Sequence, residues 1–119
     1  MASLAEMYGV KTVSVTGVNA AGVVTIVAAV TGAKIHILGY VLNAASAVTI
    51  KLESKPAGTA VALNGATGFS LPDTSSICSG YNPDGWMSTA SGSAFQMTLG
   101  GTSAVSGHVT YMIEPLALA

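Results

Sequence analysis

The chain has 119 residues; half are hydrophobic and only 8% carry a formal charge, against roughly a quarter in an ordinary soluble domain. There is no arginine, the four lysines stand apart at positions 11, 34, 51 and 55, and the net charge is −1. Nucleic-acid binding and docking on anionic lipid both need clustered cations, so neither nucleic acid nor a membrane surface is an expected partner.

This length suits one domain with one core. So few charges on a monomer surface of roughly 5,900 Å² solvate it poorly and favour association. Cys78 is the only cysteine. It excludes an intrachain disulfide and a multi-cysteine zinc site, and is expected as a small buried or half-buried side chain. The longest apolar stretch, 23–30, has the length of a strand and falls short of a membrane span. With no basic residue among the first ten, a signal peptide is not expected, and synthesis is placed in the cytoplasm of the producing cell.

In chain order, residues 1–9 (MASLAEMYG) read as an arm in which Leu4, Met7 and Tyr8 are apolar and Gly9 stops any helical turn. Strand text begins at Val10 and runs to Val15, followed by a turn over 17–22. The segment 23–30 (VVTIVAAV) is apolar on both faces and predicts a strand covered on both sides. Residues 34–43 alternate, with Ile35, Ile37 and Val41 on one face and His36, Leu38, Tyr40 and Leu42 on the other. Residues 47–54 place Val48, Ile50 and Leu52 inward and Thr49, Lys51 and Glu53 outward.

After a turn at 55–58 comes a short strand, 59–63. Asn64-Gly65 then carries the pattern of a hairpin turn. Residues 66–80 leave room for one or two short strands near 69–71 and Ile77. Asn82-Pro83-Asp84-Gly85 predicts a type I turn, with Trp86 directly after it. Phe95, Met97 and Leu99 point inward from one strand, and Val109, Tyr111 and Ile113 from the last. Pro115 stops further central pairing. The expectation is an all-β fold: a single-domain β-sandwich or jelly roll of about eight short antiparallel strands over 10–114, with the arm 1–9 before it and a tail, 115–119, after it.

No set of residues reads as a catalytic site. The two histidines are isolated, and a metal site joining them with Asp73, Asp84 or Glu53 has no ligand spacing behind it. Asp73 and Asp84 follow turn patterns and are expected to cap backbone. Five acids scattered over the chain make no carboxylate pair, and there is neither a nucleophile elbow nor a phosphate loop. No cofactor is implied. Trp86 has two readings: a core or subunit-interface residue, or a platform on which a sugar stacks.

Two stretches carry a resemblance: 34–54 (KIHILGYVLNAASAVTIKLES) and 81–115 (YNPDGWMSTASGSAFQMTLGGTSAVSGHVTYMIEP). Through Asn82, Pro83, Gly85, Trp86, Thr89, Gly92, Leu99, Val105, Gly107, His108, Thr110 and Tyr111 the chain resembles a group of small all-β phage virion proteins. It departs from their pattern at Ser93, where they carry an acidic residue, and residues 55–80 match nothing specific.

The resemblance implies a non-enzymatic structural subunit in a virion, either a decoration or cement protein on the head shell or a part of a tail or head fibre. The expected partners are the chain itself, as a homotrimer, and the major capsid protein of a phage head. A receptor- or glycan-binding tip module is the alternative. The residues expected at interfaces are Leu4, Met7, Tyr8, Leu38, Tyr40, Leu42, Trp86, Leu116 and Leu118.

Overall fold

The computed structural model describes residues 9–16, 22–65 and 68–115, and these are all-β. The ten strands are β1 Lys11–Thr16, β2 Gly22–Val27, β3 Ala33–Ala44, β4 Val48–Lys55, β5 Val61–Ala62, β6 Phe69–Leu71, β7 Ser75–Ser79, β8 Met87–Ser88, β9 Ala94–Leu99 and β10 Val105–Pro115. One sheet has the order β1-β10-β3-β7, with β8 also on β3. The other has the order β2-β9-β4-β5, with β6 also on β4. All pairs are antiparallel.

Because β5 and β6 share one edge, and β7 and β8 share another, the ten strands fill eight positions. Successive strands alternate between sheets from β1 to β4, and the last two return to the centres of opposite sheets. That order is a jelly roll.

The inner faces hold the core: Ile35, Ile37, Leu42, Ile50, Leu52, Phe95, Met97, Leu99, Val105 and Val109 are almost wholly buried. Tyr40, Phe69, Ile77, Met87 and Tyr111 pack around them. The inward residues expected for β4, β9 and the start of β10 are those observed. β2 differs. It is an edge strand ending at Val27, Val23 is 59% exposed, and Ala28, Ala29 and Val30 lie exposed beyond it. Apolar text on both faces did not mean cover on both sides here.

Two departures shape the rest of the molecule. The first is a bulge in β3. Gly39 pairs with Thr110 and Ile37 with Tyr111, leaving Leu38 without a partner. A single extra residue reverses the alternation. Ile35 and Ile37 therefore share the inner face with Tyr40 and Leu42, and Val41 points outward.

The second departure is at Asn64. Instead of turning a hairpin, β5 and β6 both pair with β4. Between them the Asn64 side chain stands in for strand backbone: its Oδ1 accepts from the Leu52 amide at 2.9 Å and its Nδ2 donates to the Ile50 carbonyl at 3.1 Å. An asparagine amide carries the same donor and acceptor as a peptide group, so it can fill a gap in a ladder as readily as it can make a turn.

Candidate functional site

The outer face of the β1-β10-β3-β7 sheet follows from the register. One row is Ser14, His108, Val41 and Cys78; the next toward the same end is Ser106, Asn43 and Ser76. All seven are exposed, and none is acidic or a lysine. An open hollow of about 350 Å³ beside them is lined by Asn43, Ala44, Ala45, Thr74, Ala104 and Ser106.

Charge sits at the other end of this face. There Lys34 pairs with Glu114 along the strands, and His36 Nε2 lies 2.6 Å from Glu114 Oε1. The histidines are four residues apart in the register of β10, roughly 13 Å at the rise of a strand. They share no site, and no group of three potential metal ligands occurs among the described residues. Cys78 is exposed, contrary to expectation. Val41 stands between it and His108, two strand spacings or roughly 10 Å away, so the histidine cannot serve as its base.

Residues 80–86 cross the gap between β7 and β8, against the bulge in β3. Asn82 N donates to the Leu38 carbonyl at 2.8 Å and Trp86 N to the Ile37 carbonyl at 2.7 Å. These bonds tie down carbonyls of β3 where the gap between β7 and β8 leaves no continuous neighbouring strand.

Within the loop the expected turn closes from Gly85 N to the Asn82 carbonyl at 2.9 Å. Asn82 Oδ1 accepts from Asp84 N at 3.0 Å, and Asn82 Nδ2 donates to the Gly85 carbonyl at 3.0 Å. Gly85 has φ +90°, a conformation that strains any residue with a Cβ. Asn82, not Asp84, therefore caps the turn, and the Asp84 carboxylate accepts no hydrogen bond among the described residues. Asp73 makes its bond away from its own turn, accepting from Ala47 N at 2.7 Å.

The loop covers Leu38, which is fully buried with Met112 in a small cluster of its own on the outer face. Leu42 is fully buried in the main core, and Tyr40 packs there with its ring 6.0 Å from that of Phe69. Burial holds the Tyr40 hydroxyl above its ordinary pKa, with Cys78 adding to the effect. The apolar second face expected of residues 34–43 is thus covered by the chain itself. Leu38 and Leu42 have no surface to offer a second subunit. Leu4, Met7, Tyr8, Leu116 and Leu118 lie outside the described residues.

Trp86 is not a core residue. It is 54% exposed, yet its Nε1 donates to the Gly80 carbonyl at 2.6 Å. The ring is therefore tethered at its polar edge while about half of the residue stays exposed. Beside it is an open cleft of about 280 Å³ lined by His36, Asp84, Gly85, Trp86, Met87 and Ser88. Tyr81, 57% exposed, belongs to the same loop. The sequence singled out Trp86, but the cleft depends on the pairing of β3 with β8, which the sequence did not reveal.

The other sheet carries a polar cluster on its outer face. Glu53 Oε1 accepts from Thr98 Oγ1 at 2.6 Å and from Gln96 Nε2 at 2.8 Å. Glu53 points outward as expected but is buried by these neighbours. Burial raises its pKa; the two hydrogen bonds, with Lys51 and Lys55 nearby, outweigh this and hold it below the ordinary carboxylate value.

No family model and no curated protein matches the chain. Among solved structures it is similar to a chain described as "Cyanophage Pam1 capsid asymmetric unit", with 18% sequence identity, a TM-score of 0.43, and coverage of 88% of this chain and 85% of that one. At that similarity no residue's role carries over.

Proposed function

We propose that the protein is a non-enzymatic structural subunit of a phage virion, a decoration or cement protein that binds the head shell and, as a homotrimer, adds stability to it. The observation that carries this reading is the exposed, charge-free half of one sheet face, comprising Ser14, Val41, Asn43, Ser76, Cys78, Ser106 and His108. The cores of protein interfaces are depleted in charge, because each buried ion must be stripped of water. A chain with 8% charged residues that leaves such a face uncovered suits life in an assembly.

The phage assignment is supported by the sequence resemblance at 34–54 and 81–115, and the jelly roll suits it as a fold used for shell subunits and for lectins alike. Stabilisation would follow from mass action: a subunit that binds only the intact shell raises the free energy needed to open it.

The test is addition of purified protein to heads that lack it, followed by heating. Bound protein and a raised disruption temperature are expected. Failure to bind heads under conditions where the protein is folded contradicts the reading. Light scattering should report three times the chain mass. The alternative, a glycan-binding module, is favoured by one specific feature, the cleft at Trp86.

A further inference from the structure

We infer that the cleft formed by His36, Asp84, Gly85, Trp86, Met87 and Ser88 binds a neutral pyranose, as the terminal or internal unit of a surface polysaccharide. The site lies at the charged end of the sheet face, apart from the charge-free half assigned to protein contact, so a failure of shell binding leaves it standing.

Three observations converge on this chemistry. First, Trp86 offers an exposed aromatic ring tethered by its Nε1. Large apolar side chains are ordinarily buried, and an exposed one with a restrained ring is set up to stack. The C–H-bearing face of a pyranose is weakly positive and fits the negative face of an indole.

Second, the cleft supplies polar groups at its rim. The Asp84 carboxylate has no hydrogen-bond partner among the described residues, and it can accept from two adjacent hydroxyls. Ser88 also lines the cleft and carries a hydroxyl. His36 holds Glu114 through Nε2, which leaves Nδ1 as its other polar atom.

Third, the platform is built before any ligand arrives. The bonds from Asn82 and Trp86 to β3, the Asn82 turn and the Trp86–Gly80 bond fix the loop, so little ordering remains to be done on binding.

The charges narrow the ligand class. Asp84 lines the cleft and Glu114 stands behind His36. An acidic sugar would meet a carboxylate on its binding edge, so sialic and uronic acids are disfavoured. A cleft this open, with one stacking face and few polar groups, fits millimolar affinity for a single ring. Repetition around an oligomer would raise it by avidity.

Trp86 is the only tryptophan in the chain, so intrinsic fluorescence reports on the site directly. The experiment titrates the full chain with the methyl glycosides of glucose, galactose, mannose, rhamnose, N-acetylglucosamine and N-acetylgalactosamine, and with N-acetylneuraminic acid. Amide shifts are followed by NMR in parallel. At least one neutral sugar should give a saturable fluorescence change, with amide shifts centred on 36 and 84–88, and the acidic sugar should give none.

Asp84→Ala should weaken binding by about tenfold, as loss of a charge-assisted hydrogen bond does. Trp86→Ala, followed by NMR, should abolish it, and Trp86→Phe should retain part of it. The wild-type amide pattern elsewhere will show that each variant is folded. The inference is overturned if none of the six neutral sugars gives a saturable change, or if the shifts persist in Trp86→Ala. It is also overturned if Trp86→Ala abolishes attachment to heads, which would make the loop a protein contact; equal attachment supports it.

Discussion

Thr89 bonds to Ile35 twice: its amide donates to the Ile35 carbonyl at 2.9 Å, and its hydroxyl oxygen accepts from the Ile35 amide at 3.0 Å. The side chain thus replaces the missing backbone of an edge strand just past β8, in a place where Thr89 is buried. Thr89→Ala leaves the Ile35 amide unpaired and should cost about 1–3 kcal/mol. Thr89→Ser should recover most of it. Urea denaturation of the three proteins checks this.

Glu53 should make stability depend on pH on the acid side. Its folded-state pKa is below its ordinary value, which is about 4.3 for an unpaired glutamate. Its contribution is therefore complete above that value and is lost as pH falls through the lower folded-state pKa. The wild-type urea midpoint should drop on acidification below about pH 4, and Glu53→Gln should drop less. Equal pH profiles for the two proteins would contradict the assignment.

Ser93 has a buried hydroxyl with no hydrogen-bond partner among the described residues. Removing a polar group already deprived of water takes away a cost and loses no bond. Ser93→Ala should be neutral or stabilising by up to about 1 kcal/mol, measured in the same denaturation assay.

Much of the fold was legible because period-two alternation is dense in β4, β9 and β10, where Ile50, Leu52, Phe95, Met97, Leu99 and Val109 fall in the core as expected. What was hidden at Leu38 and Asn64 has one cause. Side chains and bulges interrupt the period without leaving a mark in hydropathy. Leu38 is as apolar as a core residue and is buried, but on the opposite face. Asn64 carries the letters of a turn and acts as a piece of strand.

The same applies to the site. The turn 82–85 and the prominence of Trp86 were readable from composition and order. The cleft was not, because it needs His36 and Ser88, which are brought together only by β3 pairing with β8.

The arm is the remaining expectation from sequence. Deleting residues 1–9 should leave the β-domain folded, since the described strands begin at Lys11. It should weaken oligomerisation or attachment, because Leu4, Met7 and Tyr8 would no longer be available for burial against a neighbour. Light scattering and reconstitution on heads, with truncated and full-length protein side by side, measure both; equal occupancy would refute the role given to the arm.

The central claim, that the chain is a structural part of a virion, is tested most directly by the protein content of purified particles. Particles banded from producing cells should contain the chain at a fixed ratio to the major shell protein, and that ratio should survive a second banding. Particles that are intact and infectious but lack the chain, with the protein found only in the soluble fraction, would contradict it.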